Sequence, residues 1–384
     1  MGGDSQFFSY GDDSEESSLL GQDFSVRSPA SPIFSGNSAG VDCESGLGVE
    51  GSEMVGRPIP AKLKRSRNIY KEVLRSYDEV QGQAVALELA KRKILGYTPG
   101  SWTEAVGGTF LCDYKVPITT TILLIGTKGS GKSSLVNKIS AVFEPERFTP
   151  QRAQVSFNPS IGAGTRFAHE YKIPRYAKSF CVYDTRSLSY KEFENEKMLK
   201  RWMTNGVRHG EPVIRAYDDV DGLKIRMKRS KAENEYAPTV ARPINFVVFV
   251  VNALSVLESM EGKDETKKRY TQVVSKAFNS PYLSFKDDKP VVVVTHGDLL
   301  SVSERVRVRV HLGDLLGIHP KNQIFDIPES KDSATELAIL DMLHYCLDHA
   351  DNNLPFGGFL SCLCPLLLLL IALLVACYLA WVFW

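Results

Sequence analysis

The stretch that most constrains this chain is "GTKGSGKS", residues 126 to 133, because it dictates its own backbone shape and what must flank it. Gly126, Gly131, Lys132 and Ser133 fall on the spacing G-x-x-x-x-G-K-[ST]. A phosphate held by successive backbone N–H groups needs small residues, so that the chain can curl around the anion. It also needs a helix starting there, whose unpaired first N–H groups and positive dipole end face the charge. Both flanks comply: "ITTTILLI" is an apolar strand running into Gly126, and "KSSLVNKISAVF" continues with a helical period. In such a loop Gly129, Ser130 and Ser134 join Gly126 and Gly131 around the phosphates. Lys132 reaches the β- and γ-phosphates, and the Ser133 hydroxyl ligates Mg²⁺.

A strand, a tight loop and a helix in that order belong to an α/β layer. From about 117 to 350 strand and helix patterns alternate, which predicts a doubly wound, mostly parallel sheet of the P-loop, G-domain-like kind. The strand candidates are "ITTTILLIG", "TRFAHEYKI", "SFCVYDT", "INFVVFVVNA", "PVVVVTH" and "QIFDIP". "VVFVV" and "VVVV" are continuous apolar runs, the pattern of strands covered on both faces. Helices are predicted over 131–143, 263–279, 301–316 and 332–350. The stretch 204–242 breaks the rhythm and reads as an insertion. Its "KIRMKRSK" run is a solvated loop or, alternatively, a surface for anionic headgroups.

Two further segments precede this domain. Residues 1–57 carry ten acidic and two basic residues in a chain of net charge +1, so the remainder carries +9. Rich in Ser, Gly and acid, 1–57 cannot bury enough apolar surface to order itself and is expected to be a disordered acidic tail. Ser28 and Ser31, each followed by proline, are candidate modification sites there. Residues 58–116 are expected to be a helical extension, because Ile69, Val73, Tyr77, Val80, Ala84 and Leu87 recur at helical spacing within 64–95. The overall balance gives no reason to expect nucleic acid as a partner. The seven cysteines show no metal-ligand spacing and fit a reducing compartment better than a disulfide framework.

A P-loop domain needs an acidic residue at a later strand end to address the magnesium, and "FCVYDT" supplies Asp184. The segment continues "DTRSL", with Ser187 where GTPases of this layout place glycine and Leu188 where small GTPases keep a water-orienting glutamine. Arg186 is a candidate source of positive charge for the transition state. Thr165, in "NPSIGAGTRFAHEY", is the candidate switch residue and metal ligand, with Ser160 as competitor. For the base, "VVVVTHGD" puts Thr295 and Asp298 at a strand end, where a carboxylate can accept from guanine N1 and N2. The alternative is that this aspartate caps the helix that follows. Glu329, in "FDIPES", is the candidate from the second base-side loop.

"GSGKSSLVNKISAVF", "VYDTRSLS", "NFVVFVVNALSV" and "VVVVTHGDLLS" together resemble the interferon-induced protein 44-like GTPase-related family over roughly 117–350, with AIG1-type and Toc-type GTPases next nearest. The resemblance implies a G-domain fold, guanine nucleotide held by Lys132, Ser133 and Asp298, and a role in switching or assembly.

After Asp351 no charged residue occurs, and Leu363 to Trp384 is continuously apolar, about the length that crosses a hydrocarbon core. The sequence therefore predicts a linker over 351–362 and one C-terminal transmembrane helix over 363–384. A tail anchor of this kind would make the bilayer a partner and leave the N-terminal domain in the cytosol. The lack of basic residues beyond the span points to the endoplasmic reticulum or a later secretory membrane. The expected protein is a membrane-anchored, slow GTP-binding switch or assembly factor, using GTP/GDP and Mg²⁺ with protein effectors or self-association. The alternatives are a non-hydrolysing P-loop scaffold and an ATP-binding protein.

Overall fold

The computed structural model of the protein describes residues 61–78, 84–104, 110–144, 151–155, 165–215, 218, 240–262, 265–285, 288–357, 371–375 and 378–379. Seven strands form one mixed sheet: β1 Thr120–Gly126, β2 Phe167–Lys172, β3 Phe180–Asp184, β4 Glu211–Pro212, β5 Phe246–Asn252, β6 Val291–Thr295 and β7 Ile324–Asp326. Their spatial order is β4-β2-β3-β1-β5-β6-β7. β1 lies at the centre, parallel to β3 and to β5, while β2 runs antiparallel to both β3 and β4. Antiparallel β2 and β3 need only the short turn between them, whereas each parallel neighbour must be reached through a crossover. The chain builds one side of β1 first and then the other, so the strand order reverses there, the place where open α/β sheets leave a crevice at the C-terminal strand ends.

Side-chain alternation explains the apolar runs. Ile122 and Leu124 of β1 pack into one core layer with Val136, Phe246, Val293 and Leu343. Leu123 and Ile125 pack into the other with Tyr183, Trp202, Phe249 and Phe278. β1 is wetted on neither face, and its middle, Ile122 to Ile125, is accordingly apolar throughout.

The helices are α1 Ala61–Asp78, α2 Ala84–Leu95, α3 Lys132–Phe143, α4 Glu192–Asn205, α5 Ala253–Glu261, α6 Glu265–Phe278, α7 Val302–Leu316 and α8 Ser333–Asn352. The single helical stretch expected over 64–95 is two helices, with 79–83 between them outside the described residues. α1 packs on α7, and α2 packs on α8. The chain after α2 is tied down by Asp351 of α8, which accepts from Tyr97 Oη at 2.7 Å, Gly100 N at 2.9 Å and Trp102 N at 3.0 Å. α4 and α5 were not foreseen. α5 starts at once after β5 because Asn252 caps it, its Oδ1 accepting from Ser255 N at 3.2 Å. The expected acidic tail 1–57 and most of the expected insertion 204–242 lie outside the described residues.

The expectation of a C-terminal transmembrane helix is corrected, and with it the single-pass membrane localisation. Among the described residues no helix is long and apolar enough to cross a membrane. In the apolar run the described helical residues are 371–375 and 378–379, and the rest of 363–384 lies outside the described residues.

Candidate functional site

Strand ends and loop converge at the C-terminal edge of β1. Gly126 closes that strand so tightly that a Cβ would lie 2.3 Å from Val250 O and 2.6 Å from Ser130 Oγ. Gly129 and Gly131 have φ of +76° and +84°, in the left-handed region that side chains disfavour. A Cβ on Gly129 would meet nothing within 4 Å, so this backbone faces open space. Gly131 is the N-cap of α3 and offers no side-chain cap, which leaves the first N–H groups of that helix, from Lys132, Ser133 and half-buried Ser134 onward, free for an anion. Ser130 is fully buried, and its Oγ has no hydrogen-bond partner.

Lys132 folds back over the loop and donates to Gly126 O at 3.1 Å and Thr127 O at 3.2 Å. Burial pushes its ammonium down from 10.5 to about 8; nearby Asp184 pulls it up, and Arg215 pushes it further down. Among the described residues this buried cation at a helix N-terminus is satisfied by two carbonyls, an arrangement that can take an anion.

Ser133, Thr165 and Asp184 come together although 51 residues separate the first from the last. Asp184 Oδ2 accepts from Ser133 Oγ at 2.6 Å and from Thr165 Oγ1 at 3.3 Å, and the two hydroxyls are 3.4 Å apart. Its other oxygen, Oδ1, is buried without a partner. This is an all-oxygen donor set with one unsatisfied carboxylate oxygen, the chemistry that suits Mg²⁺. No group of three or more His, Cys, Asp or Glu able to hold a metal occurs among the described residues. A cation here would therefore depend on the Asp184 carboxylate together with hydroxyls, phosphate oxygens and water. Ser160 lies outside the described residues.

The segment after Asp184 is pinned. Leu188 is 6% exposed and its N–H donates to Gly126 O at 2.8 Å. Arg186 does not project toward the loop as a free charge: its guanidinium pairs with both carboxylate oxygens of Asp218 and donates to Val213 O at 2.6 Å. Arg215, which the sequence did not single out, donates to Ser187 O. Nothing local in the sequence marks it, since its partner is 28 residues away.

On the base side, Thr295 turns toward the phosphate loop, its Oγ1 lying 2.9 Å from Ser130 O and 3.2 Å from Val251 O. It braces the loop across β6 rather than facing outward. Asp298 is exposed, and its Oδ1 accepts from Glu329 N at 3.0 Å, joining the two base-side loops. The capping alternative for Asp298 is excluded. Ser301 caps α7, with its Oγ accepting from Glu304 N and its own N–H held by Glu304 Oε2 at 2.8 Å. That S-x-x-E box is readable in the sequence and is the signal that separates the two roles. The Glu329 carboxylate reaches Lys138 of α3 at 3.5 Å, and Lys138 also donates to Pro328 O. A separate cavity of about 390 Å³ opens between α4 and α6, away from the phosphate loop, lined among others by Tyr190, Leu199, Val273 and Ser280.

No protein-family model matches the chain, and no curated protein matches it. Solved structures similar to it include a "probable GTP-binding protein engB", at 13% identity and a TM-score of 0.27, over 54% of this chain and 89% of that one. A mutation variant of SsGBP matches at 14% identity and a TM-score of 0.27, over 59% of this chain; this chain spans 56% of that one's length. Likeness at this level carries no functional weight, and neither match ties the chain to the family its motifs resemble.

Proposed function

We propose that this chain binds guanine nucleotide with Mg²⁺ and works as a slow, nucleotide-dependent switch or assembly factor. The observation that carries this reading is Asp298: a carboxylate at the open end of β6, held by the backbone of the neighbouring loop and free of capping duty. Such a group is aimed to accept two hydrogen bonds from guanine and meets only a poor match in adenine.

At the other end of the site the free N–H groups of α3 and the Lys132 ammonium hold the phosphates. Ser133, Thr165 and Asp184 would hold the cation, which when bound would offset the negative charge of the phosphates. Thr165, within hydrogen-bonding distance of Ser133 and Asp184, is the residue that would report the nucleotide state.

Turnover is slow in this reading because, among the described residues, the two sequence candidates for assisting it are otherwise occupied. Leu188 is buried and apolar, and Arg186 is committed to Asp218. Effectors or a second copy would read the segment from Asp184 into α4, where Tyr190 and Phe193 are 77% and 74% exposed.

The test titrates GTP, GDP and ATP with Mg²⁺ into the full chain and into Asp298→Asn, then follows phosphate release. Guanine-selective binding that the variant loses, with turnover far below one per second, is the expected result. Equal affinity for GTP and ATP would sink the guanine assignment and leave an ATP-binding protein. No binding of either would leave a scaffold built on this fold.

A further inference from the structure

A cluster outside the phosphate loop joins α1 to both base-side loops. Asp326, at the end of β7, has a side chain only 4% exposed. Its Oδ2 accepts from Arg305 Nε at 2.7 Å and from Tyr77 Oη at 2.5 Å, a residue of the last turn of α1, 249 positions away in the chain. The guanidinium carbons of Arg305 and Arg309 lie 4.9 and 5.3 Å from the centre of the Tyr77 ring. Burial, and after it the charge of Asp326, raises the Tyr77 phenol far above its ordinary value, so it remains the donor in this pair.

The other oxygen, Oδ1, is buried and has no hydrogen-bond partner. It is pressed against Gly297: a Cβ there would lie 2.6 Å from Oδ1 and 3.1 Å from Arg305 Nε. Gly297 immediately precedes Asp298. Glu329, whose N–H holds Asp298, follows Asp326 by three residues. One carboxylate therefore ends the strand that carries one base-side loop and packs on the backbone of the other. The torsion that orients a carboxylate is broad and roughly two-fold, so its orientation is set by the donors it finds. Here two donors, from two different helices, fix Oδ2 and thereby aim Oδ1 at Gly297.

We infer that Asp326 is a positioning residue for guanine selection, and that Tyr77 makes the docking of α1 part of base recognition. This deepens the guanine reading above and rests on it. With α1 in place, Tyr77 and Arg305 hold Asp326, Asp326 holds Gly297, and the Asp298 carboxylate is presented at a fixed height. With the Tyr77 bond gone, Arg305 alone holds the carboxylate, the Gly297 backbone loses its stop, and Asp298 wanders. α1 thus tunes specificity for the base without touching the nucleotide.

The probe is a pair of nucleotides, GTP and ITP, since hypoxanthine lacks the 2-amino group that a carboxylate at position 298 would bind. Affinities for both, with Mg²⁺, are measured on the full chain as wild type, Tyr77→Phe, Asp326→Asn and Tyr70→Phe. Tyr77→Phe keeps the ring and its stacked guanidiniums and removes only the hydrogen bond. The GTP-to-ITP affinity ratio is expected to fall about fivefold in Tyr77→Phe, through weaker GTP binding with ITP nearly unchanged. Asp326→Asn is expected to lower the ratio at least as far.

Tyr70 is the control: it also links α1 to the start of α7, through Ser303 Oγ at 3.1 Å, but by a solvent-exposed hydrogen bond. Its variant should keep the wild-type ratio. A purely structural role for Tyr77 would weaken both nucleotides equally or lower the unfolding temperature with the ratio intact. Either result overturns the inference, as does a ratio lost in Tyr70→Phe. If Asp326→Asn does not fold, Tyr77→Phe decides alone. Wild type that does not distinguish GTP from ITP is a different failure: it removes the guanine reading itself.

Discussion

Lys132→Met should leave the nucleotide-free protein more stable than wild type while abolishing nucleotide binding. Lys132 is 7% exposed, and burial lowers it from 10.5 to about 8. At about 1.4 kcal/mol per pH unit, keeping that ammonium charged in the folded state costs about 3 kcal/mol at pH 7. Its bonds to Gly126 O and Thr127 O return about 1 to 2 kcal/mol between them. Methionine keeps the length and removes the charge, so a net gain of about 1 to 2 kcal/mol follows.

The pH dependence identifies the cause. Between about 8 and 10.5 the unfolded lysine still holds a proton that the folded one has released, so wild-type stability rises with pH across that window. Below 8 both states hold the proton and the penalty is complete. The advantage of the methionine variant should thus be full at pH 7 and should fade by about pH 10.5. Urea unfolding in EDTA, without nucleotide, measures it at each pH for both proteins. In parallel, Mg²⁺ and GTP should raise the wild-type midpoint and leave the variant unmoved. A variant less stable than wild type at pH 7, with a gap that stays flat to pH 10.5, would refute the account of Lys132 as a poised, costly charge.

Three other substitutions separate the roles of neighbouring residues. Asp298→Asn should weaken GTP about 10- to 100-fold, the value of a charge-assisted bond, while ATP affinity stays the same in competition titration. Gly131→Ala forces a side chain to φ of +84° and within 3.2 Å of Thr295 Cγ2, so it should cost about 1 to 2 kcal/mol in unfolding and slow phosphate-loop closure around nucleotide. Arg186→Ala leaves Asp218, whose side chain is 3% exposed, without its ion pair and with the Arg215 N–H still donating to it, and should destabilise by about 3 kcal/mol with turnover per folded molecule unchanged. Because Arg186, chiefly, holds the Asp218 carboxyl below its ordinary value, wild type should lose this contribution as pH falls through that depressed value, and the variant should show a smaller loss. Turnover lost at full stability would instead make Arg186 a catalytic residue.

The phosphate loop could be read from the sequence because its requirements are local: three glycines, a lysine and a serine within eight residues, between a strand and a helix. β5 and β6 could be read too, since a strand buried on both faces must be apolar throughout, and "VVFVV" and "VVVV" have no other use in a folded domain. Asp298 was half readable. Its position at a strand end suggested a base contact, and only the box formed by Ser301 and Glu304 released it from capping, a signal that lay in the sequence unread. The apolar run at the C-terminus was read as a spanning helix from composition along a window, whereas among the described residues no helix is long and apolar enough to cross a membrane.

Contacts between residues far apart in the chain were set by tertiary structure alone. No spacing rule joins Arg186 to Asp218, Arg215 to Ser187, or Tyr77 to Asp326, because a charged or phenolic side chain looks the same in a sequence whether it faces water or a buried partner. The sequence by itself determined that a strand, a glycine-rich loop and a helix follow one another here, since backbone geometry and the burial of a central strand restrict residue types position by position. Which polar groups remain free to act, and which are consumed in holding the loops, was decided only when the fold brought distant segments within hydrogen-bonding distance, where geometry and desolvation choose the partner.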